Sequence, residues 1–450
     1  MSKDLLVLAG SIVERGEGDE QIEAFVTHQR EFEVKAFEGA VDSLSSAEPR
    51  GAGIRIIRDG RVGFSFTTDL SDEGITVAVK RARDNATFTT EDPAMVLPDP
   101  EEGPDDLPGL WEPAQADLGP ETKVDFAIAL EKATRGFDPR IRTVEEAGFS
   151  DVTTEVAIST STGIAGGYTR SDAWCWTVAI AEDGDDTEVG FEFDLARGLS
   201  SLDPEDVARR AAERALGILG AKKIPSARMP IVFEPYTAGQ FLGVLGGVLT
   251  GEAVQKGRSL FAGKLGESVA AAGLDLVDDG RVAGAPGAAP WDGEGLPTRR
   301  TEVIKNGILT SLLYDTPSAR RDGTASTGNA SRSGFKTPPG PAPSNITFVS
   351  TGESMEELLT RAGRALLVQD FHGVHSGANP VTGDFSVGAT GRLLENGVPV
   401  QAVKEVTIAA PMLDILRGIV AVANDIRWLP FGGSVGGATT LVAEMTVAGL

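Results

Sequence analysis

Apolar residues at Leu5, Leu8, Ala9 and Ile12 recur at helical spacing, and Gly16 then supplies a C-terminal stop, so the chain is expected to open with an amphipathic helix. From Gln21 to Phe66 the pattern changes to alternation. Ile54 and Ile56 on one side and Val62, Phe64 and Phe66 on the other flank Asp59-Gly60, a pair that favours the type I′ hairpin turn. Ser71 or Asp72 can cap a second helix that buries Ile75, Ala78, Val79 and Ala82. Between Thr87 and Pro120 prolines and acids crowd together, including Asp105-Asp106, and a long loop is expected there, with Trp111 as its anchor on the sheet.

A related pattern then returns: a helix from about Glu121 to Arg135, strands from Ile141 to Phe193, and a helix opened by Asp203-Pro204 and closed by Gly220. Val62-Gly63-Phe64-Ser65-Phe66 is echoed by Val189-Gly190-Phe191-Glu192-Phe193, each before a helix, which suggests a degenerate internal duplication. The stretch Ala221 to Pro230 reads as a linker. Beyond it the chain is glycine-rich and marked by hairpin pairs at Asn306-Gly307 and Asn396-Gly397. The expected architecture is α+β: residues 1–223 as antiparallel sheet with flanking helices and the acidic, proline-rich loop 87–120, then residues 224–450 as a mostly-β domain.

Composition narrows the functional classes. The 450 residues carry a formal charge of −25, which repels phosphate backbones and anionic lipid, so neither nucleic acid nor membrane is an expected partner. No segment sustains the apolar run needed to span a bilayer, and the start lacks a cleavage signal, so a cytoplasmic location is expected. The lone Cys175, between Trp174 and Trp176, reads as a core thiol in a strand.

Candidate chemistry is sparse. The imidazoles are His28, His372 and His375, and no H-E-x-x-H occurs. His372 and His375 form the sole histidine pair at ligand spacing, with Asp370 nearby, and are candidates for a metal, but polar lining of a peptide groove or plain surface histidines is the preferred reading. Gly432-Gly433-Ser434-Val435-Gly436 matches the nucleophile-elbow string, but no histidine follows Ser434. Gly257 to Lys264 departs from the Walker A spacing, and Leu265 stands where Ser or Thr is required. Asp278-Asp279-Gly280 and Trp291-Asp292-Gly293-Glu294-Gly295 offer oxygens to a hard cation, although carboxylates beside glycines usually form turns.

Several stretches resemble proteins of the TldD/PmbA metallopeptidase family. They are Arg258-Ser259-Leu260 with Lys264-Leu265-Gly266, Trp291 to Gly295, Ile304 to Leu309, Ser326-Thr327-Gly328-Asn329-Ala330 and Ser376 to Ala389, together with Gly51 to Arg55 and Gly60 to Phe64 in the first half. The family's TldD type holds zinc on an H-E-x-x-x-H helix and a C-terminal cysteine, and its TldE partners lack these ligands. The resemblance places Gly243, Val244 and Val248 at the helix positions, and the cysteine position near Trp428 to Gly432, where there is none. It implies a TldE-type subunit without its own cofactor, paired with a zinc-bearing TldD-like chain and acting on unfolded peptide, with a homodimer when the partner is absent. His372, His375, Ser376, Asn379, Asp384 and Ser386 are expected to line the substrate channel, in a loop too polar for a core. The alternatives are an autonomous metal-dependent hydrolase built on His372 and His375, and a stand-alone peptide-binding scaffold.

Overall fold

The protein is described from a computed structural model, which covers residues 2–104, 107–429 and 434–450. Met1, Asp105-Asp106 and residues 430–433 lie outside the described residues. These take in Gly432-Gly433 of the elbow string and part of the Trp428–Gly432 stretch.

Helix α1 (Ser2–Val13) leads into strands β1 (Gln21–Phe37), β2 (Ala40–Ala47), β3 (Arg50–Arg58) and β4 (Arg61–Thr67), and then helix α2 (Asp72–Ala86). The Ser71 side chain caps α2 by accepting from the Gly74 amide. The same succession follows in helix α4 (Pro120–Gly136), strands β5 (Ile141–Thr160), β6 (Ala165–Asp183) and β7 (Asp186–Ala196), and helix α5 (Pro204–Ile218). Against the expectation of unbroken loop from 87 to 120, one turn of helix, α3 (Pro113–Ala116), forms there, with proline in its first turn.

These strands make one sheet in the order β4-β3-β1-β5-β6-β7, with β2 added beside the outer part of β1. At its centre β1 and β5 run antiparallel, in unbroken register from Glu23 opposite Thr160 to Ala36 opposite Ala147. The two halves are therefore arranged about a local dyad. Their equivalence reaches single residues: a Cβ added at Gly63 on β4 would stand 2.5 Å from the Ala86 amide of α2, and one at Gly190 on β7 would stand 2.5 Å from the Ala215 amide of α5. In each half a glycine lets the helix lie directly on the outer strand, which accounts for the echoed sequence.

The strand period of two divides the faces of this sheet. Ala24, Val26, Phe32 and Val34 of β1 and Ala147, Phe149 and Ala157 of β5 point toward the helices and form core with them. Cys175 of β6 is buried in the same layer, and burial pushes its thiol up to about 12, as befits a packed thiol rather than a nucleophile. The opposite face carries Phe25, Thr27, Gln29, Val152, Thr154, Val156, Tyr168 and Arg170.

Beyond residue 223, strand β8 (Ala227–Phe233) lies between strands Ala365–His372 and Thr440–Ala448, and the sheet continues through Val398–Pro411 to Asp384–Glu395. The last of these pairs back onto Ala365–His372, closing a barrel. A second sheet contains Leu276–Asp279, Arg300–Lys305, Asn345–Phe348 and Ser434–Gly437. Helix α6 (Pro235–Gly246) packs into the main core through Phe241, Leu242 and Leu245. The expected α+β architecture is present, and Asn306, Gly307, Asn396 and Gly397 all adopt the positive φ that a type I′ hairpin requires.

Candidate functional site

The helix-free face of the first sheet is roofed by loops of the second half. The roof depends on glycines: a Cβ at Gly166 of β6 would stand 2.6 Å from Trp291 Cε2, and one at Gly51 of β3 would stand 2.6 Å from Phe335 Cζ. Between floor and roof lies a cavity of about 670 Å³. Its floor is supplied by β1, β5 and β6, and its roof by residues 284–298 and 330–344.

Two ion clusters join the first sheet and its helices to the second half, the first of them between floor and roof. Arg55 of β3 is 2.6 Å from Glu23 of β1 and 3.2 Å from Glu294 of the roof, and Arg332 also binds Glu23. Arg332 Nε donates to Gly293 O at 2.6 Å, and its guanidinium stacks on Phe25, 4.7 Å from the ring centroid. Burial opposes ionisation of Glu23, but Arg332 and Arg55 outweigh it and hold its carboxyl below the usual range. In the second cluster Glu192 of β7 accepts from Arg210, Arg214 and Arg427, while Arg214 also reaches Glu234 at 2.7 Å.

The cavity wall has a third arrangement. Arg170 and Arg197 share Asp172, and the same guanidiniums hold the roof by donating to Pro286 O and to Ala283 O and Ala285 O. Asp292 is buried and pushed up to about 7 by that burial first and by the charge of Glu294 second, against donation from the amides of Glu294, Leu296 and Ala330. It works as a turn former, as does Asp279, which accepts from the Arg281 amide. Asp278 is buried on Asn329 and the Ser344 amide rather than open to a cation.

Sequence reasoning did not single out Arg332, Arg170 or Thr27. The loop strings Trp291 to Gly295 and Ser326 to Ala330 were a signal that this region matters, but the strand residues beneath it carried none.

The six channel candidates occupy a different surface. His372 ends the strand Ala365–His372, with its Nε2 2.8 Å from Thr390 Oγ1, and His375 and Ser376 lie in the helical turn Val374–Gly377. Asn379 Oδ1 accepts from the amides of Val381 and Thr382, Asp384 accepts from the Thr382 hydroxyl, and Ser386 follows on the same strand. All six are exposed, and none lines the 670 Å³ cavity.

The helix named by the resemblance is α6, and it lies against the strands Arg427–Leu429 and Ser434–Gly437: a Cβ at Gly437 would stand 2.7 Å from the Gly239 amide. Gly243 and Val244 are half-buried on α6, and Val248 is buried just beyond its end. None of the three side chains has a lone pair to offer a metal. Among the described residues no group of three or more His, Cys, Asp or Glu is placed to hold a metal ion, so the residues present do not fit a zinc site. Ser434 is buried at the start of its strand, and its hydroxyl has no hydrogen-bond partner.

Three family models match successive parts of the chain: PmbA/TldA metallopeptidase domain 1 over residues 22–86, the central domain over 113–219 and the C-terminal domain over 226–449. The metalloprotease PmbA of Escherichia coli O157:H7 is 30% identical over 412 residues, covering 91% of this chain and 88% of that protein. The chain belongs to the PmbA/TldD metallopeptidase family. A PmbA homolog of Haemophilus influenzae is 27% identical over 408 residues, covering 90% of this chain and 88% of that one. The crystal structure of TldE from Thermococcus kodakarensis superposes with a TM-score of 0.88 over 99% of both chains at 23% identity, and so shares the fold. As a PmbA/TldD family member, the chain combines the family's architecture with a helix α6 that carries no His, Cys, Asp or Glu side chain. Among its described residues no helix is long and apolar enough to cross a membrane.

Proposed function

We propose that this chain is the non-catalytic, TldE-type subunit of a peptidase complex, and that it helps a zinc-bearing TldD-like partner hold unfolded peptide for cleavage. The observation that carries this reading is the donor set on α6. With Gly243, Val244 and Val248 at the motif positions, nothing there can bind the ion that would lower the pKa of an attacking water from about 15.7 toward 7. What the fold retains is a large roofed sheet and a family-wide architecture.

In this reading the complex works in the cytoplasm, the chain divides near residue 224, and the exposed segment from His372 to Ser386 faces the peptide channel formed with the partner. Polar side chains that satisfy one another, such as Thr382 with Asp384, suit a surface passed by peptides of varied sequence. Elemental analysis of the purified chain tests the reading. After dialysis against a mild chelator it should contain no stoichiometric zinc and cleave no peptide. One zinc per chain, lost in the double variant His372→Ala, His375→Ala, would establish the autonomous hydrolase instead.

A further inference from the structure

The helix-free face of the first sheet is roofed only in part. On β6 and β7 it carries three apolar cross-strand pairs, Trp176 with Phe193, Val178 with Phe191 and Ile180 with Val189. The second half covers the start of this ladder: Phe193 is 7% exposed, against Tyr236 and Arg427. Cover then fades outward. Phe191 is 37% exposed and Val189 57%, while Trp176, Val178 and Ile180 are half-buried. A strand with one face in water alternates apolar with polar residues, yet β6 carries Trp174, Trp176, Val178 and Ile180 in this outward row. A contiguous apolar face of this kind marks a contact surface.

The local dyad offers a comparison within the chain. In the first half the equivalent of the outermost pair is Ile57 with Val62, and there Ile57 is only 3% exposed. The segment that follows α2 returns across those strands: the Asp92 amide donates to Gly60 O and the Leu97 amide to Gln21 Oε1, on the residue opposite Ile57. The segment that follows α5 leads instead to β8, and Ile180 and Val189 stay open.

The rim of the open face says what fits it. The hairpin joining β6 to β7 exposes Glu182, Asp183 and Asp185, and β1 adds Glu31 and Glu33 across the sheet. Lys35 is taken by Glu146, and Lys404 by Asp186 and Glu188. With Arg142 as exposed counter-charge on β5, the rim remains acidic. An apolar face with an acidic rim is complementary to an apolar surface edged by Lys and Arg. A second copy would set acid against acid, at a net charge of −25 per chain.

We propose that this open half of the sheet face is where the zinc-bearing relative docks, with apolar side chains on Val178, Ile180, Val189 and Phe191 and basic side chains against the acidic hairpin. The inference rests on the subunit reading. Trp174, next in the outward row, lines the 670 Å³ cavity, so the docked chain stands beside the cavity.

The sole cysteine, Cys175, is buried, so in a Val189→Cys variant the new thiol is the one a maleimide reaches. Its labelling should slow about tenfold or more when a TldD-like chain from the same genome is added, because the centre of an interface excludes solvent. Val189→Asp should weaken association about tenfold or more while the free chain keeps its cooperative melt. Val77→Asp, at an exposed position on α2, should leave association unchanged. Association should also weaken as salt is added, and indifference to salt would overturn the basic-edged occupant. A complex in which Val189→Cys labels as fast as in the free chain, with Val189→Asp assembling normally, would overturn the docking face and leave the subunit reading standing. Failure of the native chains to associate would overturn both. Protection of Val189→Cys that grows with the concentration of this chain alone would make the occupant a second copy and overturn the proposal.

Discussion

Arg55 Nη1 lies 3.2 Å from Glu294 Oε1, an ion pair closed to solvent between residues 239 apart in sequence. It joins the first sheet to the loop that roofs the cavity, and Glu23 with Arg332 completes a set of two carboxylates and two guanidiniums. Removing one member of such a cluster strands a buried charge. Arg55→Met should therefore cost about 3–5 kcal/mol in urea denaturation. Glu294→Gln should cost less in the Arg55→Met background than in the native chain, because the partner it serves is already gone. Equal costs in both backgrounds would show that the two residues are not coupled.

Gly63 and Gly190 are the equivalent close contacts of the two half-sheets. A methyl group at either position must push α2 or α5 off its strand, and overpacking of this kind typically costs about 1–3 kcal/mol. Gly63→Ala and Gly190→Ala should each lower stability within that range in denaturant titration. A neutral result at either position would remove the structural meaning of the repeated strand motif.

Asp292 gives a pH dependence of defined sign. Its carboxyl stands near 7 in the folded protein against an ordinary 3.8, so between these values the folded state binds the extra proton. Its contribution is greatest below about pH 4 and is lost as pH rises toward about 7. Asp278, raised to about 6 by burial, acts in the same direction. Asp292→Asn places an NH2 opposite the Ala330 amide and should lower stability by about 1 kcal/mol at pH 5. The same variant should flatten the decline between pH 4 and 7, as followed by thermal melts. A slope identical to that of the native chain would show that Asp292 is ionised throughout.

Features governed by neighbouring residues could be read from the sequence. Asp59-Gly60 and Asn306-Gly307 form their turns because only such pairs accept positive φ at both positions, and Ser71 caps α2 because its hydroxyl meets an amide three residues on. The cavity was not legible in this way. Its floor comes from residues on separate strands, and Thr27 is brought to Thr154 and Arg170 only through the β1–β5 pairing, which joins residues more than a hundred apart. Nor does a period of two reveal a polar face that is roofed by protein rather than wetted by solvent. Glu294 stands between glycines and reads as a turn residue, and its role as the counter-ion of Arg55 depends on a partner 239 residues away.

The central claim is that this chain assembles with a zinc-bearing relative and contributes to peptide cleavage without a metal of its own. An obligate interface of that kind should bury roughly 2,000 Å² or more. The most direct measurement mixes the chain with a TldD-like chain from the same genome and follows mass by light scattering together with cleavage of an unfolded peptide. The account predicts a complex containing both chains, with cleavage above that of the TldD-like chain alone. A chain that stays monomeric and adds nothing to cleavage would contradict it.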